Sequence, residues 1–327
     1  MVTWLITGGA GYIGSHVVLS MLEAGLGAVV LDDLSSGRVD RVPTVPLILG
    51  SVLDRSALQA AVSYGGLEGI VHLAGKKTTG GSVRDPLYYY GENVEGLRRL
   101  LTEATAAGVA FVVFSSSAAV YGAPDVEVVS EDTACKPITP YGNTKLIGEW
   151  MIMDVAKATD MRFVILRYFN VTGTARAGLA DRETTNLIPM VLEKLQRGEA
   201  PCIFGADYET PDGTCVRDFV HVADVASAHV AALTALRERR AQNLTLNVGR
   251  GEGVSVGEIV SSVRALTGTA STAWAEPLIK PRRVGDAARV VASTDAIVDA
   301  LGWHSRYGLD EMIASAWAGW RVARGGQ

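Results

Sequence analysis

The chain has 327 residues, of which 48% are hydrophobic and 20% charged, and its formal net charge at pH 7 is −5. This length allows two lobes, since domains usually contain about 100–200 residues, and the composition is that of a globular protein. The mild negative charge argues against binding to nucleic acid or to an anionic membrane, both of which favour a basic surface. No run of about 18 or more apolar residues occurs, so we expect no transmembrane helix and no membrane partner.

The cysteines and histidines do not have the spacing of a disulfide framework or a metal site. Cys135, Cys202 and Cys215 are far apart and form no C-x-x-C pair. The five histidines show no H-E-x-x-H pattern. That pattern is one that places two zinc-binding histidines on the same face of a helix. We therefore expect no metal, and the cysteine usage favours a reducing, cytoplasmic location.

Short apolar runs alternate with helical patterns in the first half of the chain, which is typical of βαβ units and a parallel sheet. The apolar runs lack alternation, as strands buried on both faces do. The predicted strands are Val2–Thr7, Ala28–Leu31, Leu47–Leu49, Gly69–Leu73, Phe111–Ser115 and Phe163–Tyr168. The predicted helices between them are Tyr12–Ala24, Arg55–Ser63, Pro86–Ala107 and Tyr141–Thr159.

After residue 170 the pattern loosens into loops rich in Gly, Thr and Asp. Helices are predicted at Leu187–Arg197, Val222–Arg239, Val256–Leu266 and Asp310–Val322. The sequence therefore predicts an α/β protein with a Rossmann-type doubly wound parallel sheet in residues 1–170. Residues 171–327 are expected to form mainly a smaller α/β substrate-binding lobe, with some segments returning to the first domain.

A glycine-rich segment follows the first predicted strand and opens the first predicted helix. Gly9, Gly11 and Gly14 satisfy G-x-G-x-x-G, and Gly8, Gly11 and Gly14 satisfy the related G-x-x-G-x-x-G. Glycine permits a tight turn, a close backbone approach to a pyrophosphate, and packing of the helix on the strand. The helix N-terminus then offers free N–H groups and a positive dipole end to the phosphates.

Two acidic residues end the second predicted strand. Asp32 lies 18 residues after Gly14, and Asp33 follows it. An acid at this distance accepts hydrogen bonds from the adenine ribose and repels a 2′-phosphate. Because no basic residue comes before Arg38, the sequence favours NAD over NADP.

Tyr141 and Lys145 are four residues apart on a predicted helix, so their side chains share one face. A neighbouring ammonium and the positive charge of an oxidised nicotinamide are expected to lower the pKa of the tyrosine, which is ordinarily near 10. The phenolate could then remove a proton from a substrate hydroxyl. Ser117 lies just past the fifth predicted strand, where sites form in parallel sheets, and could hydrogen-bond the reacting oxygen.

These residues together resemble the extended short-chain dehydrogenase/reductase family, and within it the UDP-glucose 4-epimerase group. The resemblance covers nearly the whole chain. The matching segments are TGGAGYIGSH (7–16), LDDLSSG (31–37), HLAGKK (72–77), SSSAAVYG (115–122), YGNTK (141–145), LRYFN (166–170), VRDFVHV (216–222) and PRRVGD (281–286).

The resemblance implies NAD-dependent conversion of UDP-galactose into UDP-glucose through a 4-keto sugar. Tyr141 would be the acid/base, Lys145 would bind the nicotinamide ribose, and Ser117 would assist at the sugar hydroxyl. The implied NAD-binding residues are Gly8, Gly11, Tyr12, Ile13, Gly14, Asp32, Asp33, Ser36, Ser51, Val52, Leu73, Ala74, Gly75, Lys77, Asn93, Ser115, Tyr141, Lys145 and Phe169.

The resemblance also implies a UDP-sugar site, mostly in the second lobe. Two arginines there suit a pyrophosphate, because guanidinium groups bind phosphate oxygens in a fork. The implied substrate-binding residues are Lys77, Ser117, Tyr141, Asn170, Asn186, Leu187, Cys202, Phe204, Arg217, Arg283, Asp286 and Val290.

The sequence departs from the family pattern in three places. Ser51 replaces the aspartate that contacts adenine, and the loop between Asn170 and Asn186 is a few residues shorter. Val290 occupies the position near the sugar C2 substituent where some members carry tyrosine. The smaller side chain leaves room for an N-acetyl group, which adds UDP-GalNAc and UDP-GlcNAc as candidate substrates.

Three alternative functions follow from the same residues. A 4,6-dehydratase needs a further acid/base pair, and Ser117-Ala118-Ala119 supplies no carboxylate where the dehydratases have Thr-Asp-Glu. A UDP-uronic acid 4-epimerase would need a cation near C6, for which Arg176 or Arg289 could serve. A non-catalytic NAD-binding protein usually loses the Tyr or the Lys. The family often forms homodimers through helices such as Pro86–Ala107 and Tyr141–Thr159, and the amphipathic patterns here permit this.

Overall fold

A computed structural model describes residues 3–240, 242–269, 271–283 and 286–325. Its strands are β1 (Thr3–Thr7), β2 (Gly27–Asp32), β3 (Leu47–Leu49), β4 (Leu67–His72), β5 (Phe111–Ser117), β6 (Arg162–Tyr168), β7 (Asn170–Thr172), β8 (Cys202–Phe204), β9 (Val216–His221), β10 (Leu244–Val248), β11 (Gly253–Ser255), β12 (Leu278–Lys280) and β13 (Arg289–Val290).

The α-helices are α1 (Tyr12–Glu23), α2 (Arg55–Val62), α3 (Thr79–Arg84), α4 (Pro86–Tyr89), α5 (Gly96–Ala106), α6 (Pro140–Ala158), α7 (Leu187–Gln196), α8 (Val222–Arg237), α9 (Val256–Leu266), α10 (Asp295–Leu301) and α11 (Leu309–Ala323). A π-helical segment, Tyr90–Glu95, joins α4 to α5. Within the described ranges, no helix is long and apolar enough to cross a membrane.

Seven parallel strands form the larger sheet, in the order β10-β6-β5-β4-β1-β2-β3. The chain builds outward from β1 in one direction and then returns to start again at β4, so the sheet is doubly wound. In such sheets ligands bind outside the carboxyl ends of the strands, at the point where the strand order reverses. The predicted Rossmann-type fold is confirmed, and its reversal point lies between β1 and β4.

Both faces of this sheet are covered, which explains the continuous apolar runs. Ile6 on β1 belongs to a core cluster with Val17 of α1 and Val225 of α8. The adjacent Leu5 points the other way, into a second cluster with Leu100 of α5 and other residues of α2 and α6. Alternate residues of one strand therefore bury against opposite helical layers, as expected for a parallel sheet.

The second half of the chain forms a smaller group of elements around its own core. In one sheet β9 pairs with β11, β13 and β7, and in another β8 pairs with β12. Residues of α7, α9 and α11 pack together in a separate hydrophobic cluster. Three second-half elements lie with the first domain: β10 extends the large sheet beside β6, α8 packs on α1, and α10 packs in the same hydrophobic cluster. The domain boundary at residue 170 stays a prediction.

The first six predicted strands are present, with ends that differ by at most two residues; Val2 lies outside the described residues. The prediction of a single α-helix over Pro86–Ala107 is wrong. The chain there passes from α4 through the π-helical segment to α5. That wider turn contains Asn93, whose amide bonds to the backbone of Lys76 and to Thr144. Such tertiary bonds leave no mark on a helical hydrophobic pattern.

Helix α6 approaches β5 closely at Gly148. A Cβ added at this glycine would lie 2.7 Å from the Phe114 ring and 3.1 Å from a Leu97 methyl group. Both side chains are buried in the core between the helix and the sheet. The distance between α6 and β5 is therefore set by the absence of a side chain at residue 148.

Replacing Gly148→Ala should lower the free energy of unfolding by about 1–3 kcal/mol, because the extra methyl group overpacks this contact. The matched control is Gly80→Ala in α3, where no atom lies within 4 Å of the added Cβ. This control should change stability by less than about 1 kcal/mol, in the stabilising direction. Urea unfolding of both variants at one protein concentration measures the difference. Equal stability of the two variants would contradict the close approach.

Candidate active site

The glycine-rich loop between β1 and α1 has no room for side chains at two positions. Gly8 has φ +72°, and a Cβ there would lie 2.7 Å from the backbone nitrogen of Ala74. A Cβ at Gly14 would lie 2.2 Å from the carbonyl oxygen of Gly8. Gly11 caps the helix without a side chain, so the first N–H groups of α1 are open to an anion. The loop has the form that a pyrophosphate requires.

Asp32 at the end of β2 fastens this loop from the other side. Its Oδ2 accepts the Ala10 N–H at 2.9 Å and its Oδ1 accepts the Leu34 N–H at 2.8 Å. The carboxyl group is largely buried, and burial raises its pKa. Asp33 is exposed instead and accepts the Ser35 N–H at 2.9 Å. Of the two predicted ribose-binding acids, the structure therefore directs Asp32 toward the glycine-rich loop.

A cavity of about 290 Å³ lies beside the loop that follows β2. Three residues predicted to contact the cofactor line it, namely Tyr12, Ser36 and Lys77. Arg41 and Arg182 also line it, and the sequence analysis singled out neither of them. The acidic residues Asp181 and Glu183 line the same cavity, so its wall carries charges of both signs.

Asn93 holds the segment after β4 against α6. Its Oδ1 accepts the Lys76 N–H at 2.7 Å, and its Nδ2 donates to the Lys76 carbonyl and to the Thr144 hydroxyl. A Cβ at Gly75 would lie 2.9 Å from the same Oδ1. The next residue along, Lys77, forms an ion pair with Glu183 at 3.0 Å. The predicted cofactor residues Leu73 to Lys77 are therefore fixed beside the glycine-rich loop.

Ser117, Tyr141 and Lys145 meet where β5 ends and α6 begins. The Thr139 hydroxyl caps α6 by accepting the Gly142 N–H at 3.2 Å, which sets Tyr141 in the first turn. The Ser117 side chain lies near enough to Tyr141 to act on the pKa of its hydroxyl. The Nζ of Lys145 donates to the Ser115 carbonyl at 2.8 Å and lies 6.0 Å from the centroid of the Tyr141 ring. The structure thus brings the three predicted catalytic residues together.

Burial has the largest effect on the pKa values of the pair. Burial raises the pKa of Tyr141, while the nearby Ser117 side chain acts in the lowering direction. Burial lowers the pKa of Lys145 to about 8, and the nearby Glu149 carboxylate opposes this shift. The expectation that Lys145 and an oxidised nicotinamide lower the tyrosine pKa stays a prediction, because burial has the largest effect on Tyr141 in the protein alone. The free-energy cost of burying a phenolate outweighs the favourable interactions around it.

The predicted substrate residues fall into two groups in the second lobe. Arg217 on β9 pairs with Asp286 at 3.3 Å, and Val290 on β13 is its register partner. The Arg283 guanidinium carbon lies 3.8 Å from the centroid of the Phe204 ring, an arrangement in which a cation and an aromatic ring attract each other. Val284 and Gly285 of the PRRVGD segment lie outside the described residues.

The remaining predicted substrate and cofactor residues sit at element ends. Asn186 precedes Leu187 at the start of α7 and donates to Asp181 at 2.8 Å. Asn170 begins β7 and Cys202 begins β8. Phe169 is buried and packs in one hydrophobic cluster with Val290, next to Ala118. Ser51 and Val52 lie past β3, away from the catalytic residues and near the helical layer, where Val52 contacts Gly96.

Comparison with known proteins identifies the family. The model of the NAD dependent epimerase/dehydratase family matches residues 4–249. This chain is 43% identical over 320 residues to a UDP-glucose 4-epimerase from Azospirillum brasilense, a match that covers 95% of this chain and 90% of the relative. The chain belongs to the NAD dependent epimerase/dehydratase family.

Solved structures of other members of this family have the same architecture. A UDP-glucose 4-epimerase from Stenotrophomonas maltophila, with bound NAD and formylated UDP-arabinopyranose, is 36% identical with a TM-score of 0.92, covering 99% of both chains. The enzyme from Brucella ovis in complex with NAD is 38% identical with a TM-score of 0.92, covering 98% of both chains.

Membership of the epimerase/dehydratase family agrees with the predicted cofactor, NAD. The residues of this chain fit NAD. The loop expected to hold the pyrophosphate has glycine at residues 8 and 14, where a Cβ would clash with the backbone. The buried Asp32 carboxylate beside the same loop suits a ribose hydroxyl rather than a phosphate. The roles of the individual site residues stay predictions.

The structure adds a carboxylate next to the catalytic residues that the sequence analysis also missed. Glu149 lies four residues after Lys145 on α6 and is fully buried against Ser116 and Arg167. The sequence contains a pattern that could have indicated Glu149, since helical spacing places Tyr141, Lys145 and Glu149 on one face. Glutamate at an exposed helical position is common, however, and the sequence does not show that this face is buried.

Proposed function

We propose that this chain catalyses the NAD-dependent 4-epimerisation of a UDP-hexose, converting UDP-galactose into UDP-glucose through a transient 4-keto sugar. The observation that carries the proposal is the meeting of Ser117, Tyr141 and Lys145 at the end of β5. This end lies on the same edge of the sheet as the glycine-rich loop after β1. Relatives named UDP-glucose 4-epimerase that align over nearly the whole chain support it.

In this mechanism Tyr141 takes the proton of the sugar 4-hydroxyl and later returns it to the same oxygen. Ser117 hydrogen-bonds the reacting oxygen, and the Lys145 ammonium, held by the Ser115 carbonyl, favours the phenolate. Bound NAD would supply the hydride acceptor for C4, the hydride donor for the return step, and a positive charge that favours ionisation of Tyr141. The proton and the hydride both return to the sugar, so the reaction consumes no oxidant.

Inversion at C4 needs a firm hold on UDP and a looser hold on the sugar, so that the keto sugar can present its other face. Arg217 and Arg283 supply guanidinium groups for the pyrophosphate in the second lobe. Arg217 already pairs with Asp286 at 3.3 Å, which fixes its orientation. These arginines bind the part of the substrate that does not rotate.

The geometry does not favour the two catalytic alternatives. Arg176 pairs with Glu23 on the surface, about 16 Å along α1 from the glycine-rich loop at 1.5 Å per residue. Arg289 donates to the Glu127 carbonyl, so neither guanidinium is directed to a sugar carboxylate beside Tyr141. The residues after Ser117 form a short helical turn of Ala118–Val120 without a carboxylate, which argues against dehydration.

Proton NMR of the anomeric signals tests the proposed reaction, with UDP-galactose as the substrate and NAD added. UDP-glucose should appear with the wild-type protein. Tyr141→Phe should lower the rate by about 10²–10⁴-fold, because it removes the group that exchanges the proton. Tyr64→Phe, at a tyrosine on the surface, is the matched control and should keep wild-type activity. Failure of the wild-type protein to form UDP-glucose would overturn the assignment.

We further propose that UDP-GalNAc and UDP-GlcNAc are substrates. Val290 packs with Phe169 and Ala118 beside the catalytic residues, and its side chain is much smaller than a tyrosine. Val290→Tyr should reduce turnover of the N-acetylated pair at least about tenfold, the size of effect that pocket shape produces, and retain turnover of UDP-galactose. The same NMR assay gives both rates. Equal loss of both substrates, or no wild-type turnover of the N-acetylated pair, would contradict this proposal.

We also propose that the protein is a homodimer whose interface is formed by the helices around α4 and α6. The cytoplasmic location stays a prediction. Leu87 on α4 is 81% exposed and Trp150 on α6 is 54% exposed, and neighbouring exposed apolar side chains can form a protein–protein interface. Sedimentation velocity should give a dimer, and Trp150→Glu should shift it toward monomer. A Trp274→Glu control, at an exposed tryptophan of the second lobe, should leave the dimer intact. A wild-type monomer would refute the proposal.

A further inference from the structure

Three consecutive serines at the end of β5 face three residues on one side of α6. Ser117 lies next to Tyr141, and the Ser115 carbonyl accepts from Lys145 at 2.8 Å. The remaining hydroxyl, that of Ser116, donates to Glu149 Oε1 at 2.5 Å. Tyr141, Lys145 and Glu149 are spaced by four residues, so the catalytic pair continues into a third polar residue.

Glu149 is fixed from β6 as well. Arg167, the register partner of Ser116, donates from Nε to Oε1 at 2.9 Å and from Nη2 to Oε2 at 2.6 Å. This is a two-bond guanidinium–carboxylate pair. Arg167 is held in turn by the Tyr121 hydroxyl at 2.9 Å, which donates to Asn247 at 2.7 Å. The Glu149 carboxylate therefore has one orientation.

A buried ion pair of this kind contributes little net stability, because removing both charges from water costs about as much as their attraction returns. The Glu149 side chain is 0% exposed and that of Arg167 only 6%. Stability alone does not account for a carboxylate in this place, one helical turn beyond Lys145.

The surroundings of Lys145 contain one carboxylate and several neutral groups. His72 on β4 carries no positive charge near neutral pH, since burial lowers its pKa to about 3. Burial likewise lowers the pKa of His229, beyond Ser115, to about 4. The titratable groups that face the Lys145 side chain or lie behind Ser115 are Tyr141, Glu149, His72, Tyr168 and His229.

We propose that Glu149 is a positioning residue for the Tyr141–Lys145 pair. It keeps the Lys145 side chain charged and directed at the Ser115 carbonyl, and it locks the end of β5 onto α6 through Ser116. The inference rests on the proposed function, in which the Lys145 ammonium assists the Tyr141 phenolate. Glu149 itself touches neither substrate nor cofactor in this scheme.

The direction of the pH effect follows from the charges. Burial lowers the pKa of Lys145 to about 8 and Glu149 opposes that shift, so activity is lost as pH rises through this pKa. In Glu149→Gln the opposing charge is gone, and the Arg167 guanidinium left behind repels the ammonium. Both changes lower the pKa of Lys145. The alkaline loss of activity therefore moves to lower pH.

The experiment follows Lys145 in two ways, with NAD-loaded wild-type and Glu149→Gln proteins. The first is kcat and KM for UDP-galactose from about pH 6 to about pH 10, a range that includes the titration of a perturbed lysine. The second is ¹³C NMR of lysine Cε, in which the seven lysines give seven signals and Lys145→Met assigns one of them. In Glu149→Gln both midpoints should fall by about one pH unit, with KM unchanged.

Asp154→Asn is the matched control, because it makes the same acid-to-amide change on α6. Asp154 is exposed and forms an ion pair with Lys157 at the surface. This variant should leave both midpoints in place. Should Glu149→Gln fail to fold with Arg167 unpaired, the double variant Glu149→Gln, Arg167→Gln removes both buried charges. Its Lys145 midpoint should fall in the same direction.

Unchanged Lys145 midpoints in the folded variants, together with wild-type epimerase activity, would overturn the inference and leave Glu149 a purely structural residue. Absence of epimerase activity in the wild-type protein would instead overturn the proposed function. The lysine titration is measured without turnover, so it still decides whether Glu149 controls the charge of Lys145. The two failures are therefore distinct.

Discussion

The close packing of α6 on β5 determines what the catalytic side chains can reach. With only a hydrogen atom at Gly148, the helix lies against the Phe114 ring. From this distance the Lys145 amine reaches a backbone carbonyl of the strand, and the Glu149 carboxylate reaches a serine hydroxyl. A helix even one methyl group further away would break both bonds. The chemistry of the site therefore depends on a packing contact several residues from the reacting atoms.

A second set of bonds ties the cofactor side of the protein to the substrate side. The Tyr12 hydroxyl in α1 donates to the Gly173 carbonyl at 2.6 Å, and His16 is hydrogen-bonded to Thr174 at 3.1 Å. These contacts join the first turns of α1 to the chain just after β7. Burial lowers the pKa of His16 to about 4, so this link is uncharged near neutral pH. The glycine-rich loop and the start of the second lobe therefore keep one relative position.

The parts of the structure that the sequence predicted are those whose cause is local. Six strands buried on both faces leave unbroken apolar runs, and the glycine-rich turn and the Tyr141–Lys145 spacing are short-range patterns. Apart from β10, the strands from β7 to β13 lie outside the large sheet and are two to six residues long. They form because partners far along the chain pair with them. The secondary-structure propensity of a short segment does not depend on such distant partners, so it cannot predict them. The π-helical turn at Asn93 has the same origin in tertiary hydrogen bonds.

The electrostatics of the site were the least predictable part. The spacing of Tyr141 and Lys145 indicates a favourable charge interaction, yet burial acts on both groups and has the larger effect on each pKa. Burial is a property of the whole fold, so one helix cannot reveal it. Glu149 was missed for the same reason, since its significance comes from β5 and β6 packing over it.

Coenzyme preference in this protein is built into its scaffold. Asp32 is predicted to repel a 2′-phosphate, and its two carboxylate oxygens also hold the backbone at Ala10 and Leu34. Leu34 itself has φ +58°, a conformation that a non-glycine residue keeps only when its surroundings enforce it. A change that admitted the phosphorylated coenzyme would at the same time release both loops. Altering the choice between the two coenzymes therefore requires rebuilding the turn after β2, and a single exchange of charge at Asp32 is not enough.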